Sequence, residues 1–291
     1  MKYRRRRSSR APSFGEGANG CLDDMPAEIQ AYCQKWTLRV LVDLGGHKSV
    51  LHDDYCSEPH LIFSLDLGYS SEDDYEHKAV LAALKKKHRE VISRTLPPLP
   101  ESNLVRNINW LANEVGLTEI ERTILLFCVI ERQHAFLRQT IASLGEMSTE
   151  RVVTTLSVLL DISPHEIYKA LSFESTLIRS GLICIDQNNI FDFCNKIGLI
   201  NGITERLNAE PENPFDIFSD NFVVAPPPEL TLAHFDYLGP KVSYLAKYLK
   251  HVIESSGKGV NVLIYGVPGG GKTQLARALA AEIKANLFEV A

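Results

Sequence analysis

Apolar residues recur at three- and four-residue steps along much of the chain, a spacing that predicts amphipathic helices. The first such stretch begins at Pro26 and continues to Gly45-Gly46, where glycines typically end a helix. Residues 73–94 follow the same spacing. Between them, the loose alternation of Leu61–Leu67 favours a strand. These patterns predict a small helical or α+β unit over residues 22–95, and the Leu-Pro-Pro-Leu-Pro sequence that follows predicts a linker.

Helix-start signals punctuate the next part of the chain. Thr118 followed by Glu121, and Ser163 followed by Glu166, each have the pattern of a capping box, in which two side chains satisfy the first free N–H groups of a helix. Between them, a further helix is predicted over about 149–160, because the apolar positions keep the helical spacing.

Two short apolar runs, residues 181–185 and 190–193, flank a Gln-Asn-Asn sequence and predict a hairpin. Helix, short turn, helix and hairpin is the element order of a winged helix-turn-helix. We therefore predict a helical, winged-helix-like unit over residues 102–206. Its second helix offers His165, Glu166, Tyr168 and Lys169, with almost no net positive charge. DNA readers usually place Arg, Lys, Asn or Gln there, so packing or protein contact is favoured over DNA binding.

Composition places the chain among ordinary globular proteins. Its 291 residues are 45% hydrophobic and 23% charged, and this length predicts about two domains. The longest uninterrupted apolar stretch, Ile124–Ile130, falls far short of the ~20 residues that cross a bilayer. The six cysteines form no C-x-x-C pair and no secretory signal precedes them, so we expect reduced thiols, no zinc site and a cytoplasmic protein.

Charge is unevenly distributed along the chain. The first ten residues carry six positive and no negative charges, and residues 1–21 are predicted to be a disordered basic tail. Removing those six charges takes the net charge from −5 to −11. A body this acidic is a poor general binder of nucleic acid, because phosphate contact needs a positive face. Any nucleic-acid role would have to lie in the tail or in a local patch.

Prolines and acidic residues mark a second linker over residues 207–233. Five prolines lie between Asn208 and Glu229. Phe215, Phe218 and Phe222 also lie there, which indicates that the linker packs against another part of the protein.

One motif carries recognisable chemistry. The β-branched run Val260–Tyr265 predicts a strand, and helical spacing resumes after Thr273. Between them the sequence reads G-x-x-x-x-G-K-T, the phosphate-binding loop or Walker A motif, in its required position between strand and helix. The loop residues are Gly266, Val267, Pro268, Gly269, Gly270, Gly271, Lys272 and Thr273.

The residue types of this loop have a physical basis. Turning successive N–H groups toward a phosphate needs backbone conformations that favour glycine. The helix that begins near Lys272 directs its positive dipole end at the same phosphates. We expect Lys272 to reach the β- and γ-phosphates and the Thr273 hydroxyl to be a Mg²⁺ ligand. The motif therefore predicts a nucleotide phosphate site.

The surrounding sequence resembles the start of an AAA+ ATPase module. The resemblance covers residues 235–291: Phe235-Asp236-Tyr237-Leu238-Gly239, a predicted helix over about 241–254, the strand, the loop and Asn286–Val290, which is similar to the family's next strand. The loop reads Gly-Val-Pro-Gly-Gly-Gly-Lys-Thr where the usual family form is Gly-Pro-Pro-Gly-Thr-Gly-Lys-Thr. The departures at Val267 and Gly270 leave the phosphate geometry intact.

This resemblance implies a fold, two cofactors and partners. The fold class is mainly α with α/β: a helical and winged-helix-like N-terminal region, then the start of a P-loop NTPase (AAA+) α/β core over residues 234–291. In such modules the aromatic-acidic-x-aliphatic-Gly segment lines the adenine pocket, so Leu238 and Gly239 would contact adenine. The cofactors implied are ATP and Mg²⁺. The partners implied are a protein substrate and further copies of the chain in a ring.

Several parts of an AAA+ module have no counterpart in the sequence. The module needs a Walker B strand ending in Asp-Glu, a polar sensor, an arginine finger and a helical lid, yet only 18 residues follow Thr273. Leu182–Asp186 ends in a single aspartate and does not substitute. We therefore expect that this chain is the front part of an ATPase, holds no catalytic residue and does not turn over ATP. The intact protein would couple ATP hydrolysis to the remodelling of a protein partner.

Two alternative hypotheses stay open from the sequence. In one, the chain is a non-enzymatic module whose winged-helix-like unit binds a partner or DNA, with a vestigial loop. In the other, it is a different P-loop NTPase, such as a helicase loader or a small kinase. The segment Phe235–Gly239 argues against a kinase, because kinases usually begin almost at the loop.

Overall fold

The computed structural model describes residues 26–67, 75–187, 189–210, 217–218, 222–255, 257 and 259–290. Helices make up 59% of the residues that the structure describes, with a few short strands, so the described chain is mainly α. It divides into two compact units, Met1–Glu210 and Pro211–Ala291. The predicted basic tail, residues 1–21, lies outside the described residues.

The first unit is built from twelve described helices and one short antiparallel strand pair. Its helices are α1 Ala27–Val42, α2 His47–Val50, α3 Pro59–Ser64, α4 His77–Ile92, α5 Asn103–Val115, α6 Glu119–Gln133, α7 Ala135–Ala142, α8 Thr149–Leu160, α9 Pro164–Ala170, α10 Thr176–Arg179, α11 Phe193–Lys196 and α12 Ile203–Asn208. Its strands are β1 Ile183–Ile185 and β2 Ile197–Leu199, with Cys184 opposite Gly198.

Helix α6 lies at the centre of this unit. Its apolar run is buried from Ile124 to Ile130 except at Leu126, and Cys128 is a core residue, as the sequence indicates. Phe127 makes edge-to-face contacts with Trp36 of α1, at 5.0 Å between ring centroids, and with Phe193 of α11, at 6.0 Å. Such aromatic pairs add to the free energy gained by burying their area.

Both predicted capping boxes are confirmed. The Thr118 N–H donates to Glu121 Oε2 at 2.7 Å while Thr118 Oγ1 accepts from the Glu121 N–H at 3.3 Å. Ser163 and Glu166 repeat the arrangement at the start of α9. Glu121 is also buried and its second oxygen accepts from the Leu177 N–H at 3.0 Å, so one carboxylate joins the starts of α6 and α10.

A buried arginine from α1 closes the end of α8. Arg39 donates to the carbonyls of Val158 and Leu159 and pairs with Asp161 at 2.6 Å. The last carbonyls of a helix have no intrahelical partner, so a guanidinium there satisfies them and complements the helix dipole. Although burial alone would raise the pKa of Asp161, its contacts with Arg39 and Lys35 lower it.

The strand predicted at Leu61–Leu67 is wrong, because this stretch forms α3. Pro59 occupies the first turn of that helix, a position that proline favours. Leu61, Ile62 and Leu65 are buried together on one side. Their spacing of one and four residues is helical, and a run this short satisfies both periodicities.

The predicted hairpin forms with a different second strand. β1 pairs with Ile197–Leu199, whereas the predicted run 190–193 leads into α11. Asp192 caps this short helix by accepting from the Asn195 N–H at 2.9 Å. Burying Phe193 in the core fixes the helix in place. An Asp at a helix start and a core aromatic therefore outweigh the short apolar run.

The second unit contains two described helices longer than one turn, one 3₁₀ helix and one strand pair. These are β3 Phe222–Val224, the 3₁₀ helix Leu232–Leu238, α13 Pro240–Glu254, α14 Lys272–Glu282 and β4 Phe288–Val290. Strands β3 and β4 pair antiparallel with Val223 opposite Glu289. Thus Phe222, predicted to lie in a linker that packs against another part of the protein, belongs to a strand, and its ring lies 5.1 Å from Phe288.

A small apolar core holds this unit together. Phe235 of the 3₁₀ helix, Val242 and Ala246 of α13, and Leu275 and Leu279 of α14 are all buried in one cluster. Helices α13 and α14 thus each bury one face, and the buried Leu275 and Leu279 of α14 follow the helical spacing of the sequence. The 3₁₀ helix packs between them and brings Phe235 to the start of α14, where the candidate site lies.

Candidate functional site

The segment that leads into the phosphate-binding loop has no regular secondary structure. Residues 260–265, predicted to be a strand, form none, and the side chains of Leu263 and Tyr265 are 84% and 87% exposed. A strand exists only through hydrogen bonds to a neighbour, and in the described residues the paired strands are β1 with β2 and β3 with β4. The predicted strand at Val260–Tyr265 is therefore wrong for this structure.

The loop itself turns where its glycines allow it. Gly269 and Gly271 have φ of 77° and 78°, a left-handed conformation that side-chain-bearing residues rarely adopt. The Gly270 N–H donates to the Val267 carbonyl at 3.2 Å and closes the turn. A Cβ added at Gly270 would lie 3.2 Å from that same oxygen. The sequence Gly-Gly-Gly is thus used for its backbone geometry.

Lys272 folds back over the loop. Its Nζ donates to the carbonyls of Gly266 at 3.2 Å and Val267 at 2.9 Å. The ammonium group is therefore placed at the mouth of the turn and holds its two ends together. A positive charge at this position, above a backbone of left-handed glycines, is suited to an anionic group.

Helix α14 begins at the last residue pair of the motif. The Leu275 N–H donates to the Gly271 carbonyl at 2.8 Å, which starts the helical hydrogen bonds. The N–H groups of Lys272, Thr273 and Gln274 precede this point and have no intrahelical partner. Thr273 is exposed at the same end. Three free donors and a hydroxyl thus lie beside one ammonium group.

Phe235 supports the loop from below. A Cβ at Gly271 would lie 3.3 Å from Phe235 Cε1, so the ring fills the space where a side chain would stand. The resemblance of Phe235–Gly239 to an AAA+ module implies that Leu238 and Gly239 contact adenine. Both lie at the end of this segment, and Leu238 is 39% exposed. The contact between Phe235 and Gly271 was missed, because no local spacing relates residues this far apart.

An ion pair and a hydrogen bond brace α14 on its other sides. Arg277 donates from Nε to Glu289 Oε1 at 2.7 Å and from Nη2 to Oε2 at 3.0 Å. These bonds lower the pKa of Glu289 and raise that of Arg277. Gln274 Oε1 accepts from the Glu229 N–H at 3.1 Å. Bidentate pairs fix geometry as well as charge, so α14 is oriented against β4.

The first unit holds a separate buried carboxylate. Glu131 accepts from Cys194 Sγ at 2.9 Å, with guanidinium nitrogens of Arg132 and Arg138 at 3.9 and 4.0 Å. Burial raises the pKa of Glu131, and burial together with this carboxylate raises the pKa of Cys194 to about 12. A thiol with such a pKa is a poor nucleophile, so the arrangement is structural.

Two other kinds of site are absent from the part of the chain that the structure describes. No group of three or more His, Cys, Asp or Glu side chains there is arranged to hold a metal ion. Among the same residues, no helix is both long and apolar enough to span a membrane.

Comparison with known proteins gives one match. Residues 262–291 match the model of the ATPase family associated with various cellular activities (AAA), and this stretch begins just before the loop and contains all of it. Neither the curated proteins nor the solved structures contain a significant match to the chain. The family assignment therefore rests on the C-terminal stretch that holds Lys272 and α14.

Proposed function

We propose, from the AAA family match of residues 262–291, that this chain binds ATP and Mg²⁺ at the loop of residues 266–273. The observation that carries the proposal is the position of Lys272 Nζ, within 3.2 Å of two loop carbonyls and beside the free N–H groups that open α14. Donors in this arrangement match the oxygens of a polyphosphate.

The loop passes a simple test of fit. Gly269 and Gly271 turn the backbone in conformations that leave the concave side without side chains. The space behind Gly271 is already filled by Phe235, which keeps the turn from collapsing away from a ligand. A phosphate needs a cradle of this kind, and the residues present supply one.

Each residue of the loop then has a proposed role. The backbone N–H groups of Gly269, Gly271 and Lys272 would hold the phosphate oxygens, and the Lys272 side chain would exchange its two carbonyl contacts for the β- and γ-phosphates. The Thr273 hydroxyl, exposed at the start of α14, serves as a ligand of Mg²⁺. Mg²⁺ supplies neutralisation of phosphate charge when bound. We further propose that Leu238 and Gly239 contact the adenine.

Binding without turnover is the expected activity of this chain alone. Phosphoryl transfer to water needs a carboxylate that polarises the attacking water and a cation that stabilises the transition state. The sequence contains no Asp-Glu dipeptide of the Walker B type. We propose that hydrolysis, and its coupling to remodelling of a protein partner in a ring of copies, depends on groups beyond these residues.

The first unit is proposed to contact that protein partner. Its helices α8 and α9 are followed by the antiparallel pair β1 and β2, an order that supports a winged-helix-like reading. Helix α9 exposes Tyr168, and Phe173 after it is also exposed. Exposed aromatics of this kind are favoured in protein interfaces. The alternative is that the chain is a non-enzymatic module: the first unit binds a partner or DNA, and the loop of the second unit is vestigial.

A fluorescent ATP analogue tests the proposal. The wild-type chain should bind mant-ATP in the presence of Mg²⁺, and Lys272→Ala should lose at least tenfold in affinity, because a charged hydrogen-bond donor is removed. Lys284→Ala is the matched control, since Lys284 lies just after the end of α14, away from the loop, and should bind as the wild type does. Equal affinity of Lys272→Ala and the wild type would overturn the assignment.

A further inference from the structure

The outward face of α13 combines tyrosines with positive charges. Val242 and Ala246 face the core, and the opposite side carries Lys241, Tyr244, Lys247, Tyr248 and His251, which we call the Tyr–Lys face, with the exposed Glu254 at its C-terminal end. Tyr244 and Tyr248 are 69% and 52% exposed. The helix geometry places the two tyrosines one turn apart, with about 5–6 Å between their Cβ atoms.

Four side chains of the Tyr–Lys face have no polar or aromatic partner among the described residues. Within residues 222–255 and the other described stretches, the side chains of Lys241, Tyr244, Lys247 and Tyr248 make no ion pair, hydrogen bond or ring contact. Exposing two large aromatic rings to water on one stripe costs free energy that burial against a partner would recover. The face is therefore a candidate interaction surface.

Its composition favours a nucleic acid over a protein. Protein interfaces are enriched in tyrosine but depleted in lysine, whereas three of the five residues here carry or can carry positive charge. Single-stranded nucleic acids offer phosphates for the cations and unstacked bases for the rings. The face extends over about 15 Å of helix from Lys241 to His251, which is long enough for a short run of nucleotides.

The net charge of the rest of the chain restricts where a nucleic acid could bind. Without its first ten residues the chain has a net charge of −11, so nucleic acid would be repelled from most of its surface. A basic face is then the local patch that such binding would require. Contact by stacking and charge is expected to be sequence-tolerant, because every base has a face that can stack on a tyrosine ring.

We propose that the Tyr–Lys face binds single-stranded nucleic acid, with bases stacked on Tyr244 and Tyr248 and the phosphate backbone on Lys241 and Lys247. This goes beyond the proposed ATP site and does not rest on it, since no residue of the face belongs to the loop. An acidic protein segment is the competing occupant, and it would use the lysines without requiring the rings to stack.

Anisotropy titrations with short fluorescein-labelled oligo-dT and oligo-U test the proposal on the full chain. The wild type should bind both, with affinity falling as salt rises by a slope of about −0.7 for each phosphate contacted. The double variant Tyr244→Ala/Tyr248→Ala should bind about tenfold more weakly or worse, because each stacked base contributes about 1–3 kcal/mol. Replacing both tyrosines by Phe should keep the affinity, since the rings remain.

Two matched controls separate the face from the rest of the surface. Tyr55→Ala removes a comparably exposed tyrosine from the stretch between α2 and α3, and Lys85→Glu reverses an exposed lysine of α4, so neither should change the affinity. Lys247→Glu should weaken binding and flatten the salt slope. The proposal is overturned if the wild type binds neither oligonucleotide. It is equally overturned if the Tyr→Ala pair binds as the wild type does, or if polyglutamate displaces the oligonucleotide at matched charge concentration.

Discussion

Arg277 and Glu289 form a two-bonded ion pair, at 2.7 and 3.0 Å, that ties the helix after the phosphate-binding loop to strand β4. The pair matters because the second unit has only a small apolar core. Small cores leave stability sensitive to individual polar contacts. The orientation of α14, and with it the donors at its start, therefore depends on a contact located in the second turn of the helix.

This ion pair predicts a specific dependence on pH. Arg277 lowers the pKa of Glu289, so the pair stabilises the second unit fully above the ordinary carboxyl pKa of about 4.3. That stabilisation is lost as pH falls through the lower value of the folded state. Glu289→Gln should therefore lower the melting temperature at neutral pH, and the difference from the wild type should shrink in acid. A difference that stays constant with pH would contradict the role assigned to the pair.

Substitution of Gly271 is expected to lower both the stability of the second unit and its affinity for nucleotide. Gly271→Ala places a Cβ at left-handed φ and 3.3 Å from the Phe235 ring, so we expect a loss of about 1–2 kcal/mol from strain alone, with a further loss as the ring is displaced. Binding of mant-ATP should weaken. Gly145→Ala is the matched control, because Gly145 has φ of 71° with nothing near its Cβ. Gly145→Ala should show the strain and leave nucleotide binding unchanged.

Glu121 should matter more than its counterpart in the other capping box. Glu121→Ala removes the acceptor of the Thr118 N–H, which is one half of the capping box of α6, and leaves the buried Leu177 N–H without its acceptor. We expect a loss of about 2–4 kcal/mol in the free energy of unfolding of the first unit, the sum of a lost cap and an unsatisfied buried donor. Glu166→Ala removes only an exposed cap and should cost clearly less. Similar losses in urea denaturation would show that the Leu177 bond contributes nothing.

Arg39 provides a test of helix closure within the first unit. Arg39→Met keeps much of the buried stem but removes the donors to Val158 and Leu159, so we expect destabilisation of about 2–3 kcal/mol. Lys35→Met removes only the longer contact with Asp161, at 3.4 Å, and should cost about 0–1 kcal/mol. Chemical denaturation of both variants measures the contrast. If Lys35→Met costs as much, the ion pair rather than the carbonyl contacts explains the effect.

Local signals in the sequence predicted the elements that local physics determines. The capping residues Thr118 and Ser163 mark helix starts because their partners lie three residues away. Periodicity likewise identified α1, α4 and α14, whereas α13 was expected from the resemblance to an AAA+ module. The phosphate-binding loop was recognisable because glycines, a lysine and a threonine at fixed spacing serve one ligand.

The sequence predictions were wrong where contacts between residues far apart in the chain determine the structure. Leu61–Leu67 satisfies two periodicities, and packing of Leu61 and Leu65 selected the helix. Residues 260–265 have strand composition but no neighbouring strand among the described residues. Contacts such as Phe235 with Gly271 join residues far apart in sequence, so neither composition nor spacing could indicate them.

Hydrogen–deuterium exchange with and without ATP and Mg²⁺ is the most direct test of nucleotide binding at the loop, because it locates the ligand as well as detecting it. We expect the nucleotide to slow exchange of the amides of residues 269–274, which lie in the loop and at the start of α14 and which, apart from the Gly270 amide, include its free donors. Lys272→Ala should remove this protection. Absence of protection in residues 269–274 at saturating nucleotide, or protection confined to the first unit, would contradict nucleotide binding at the loop.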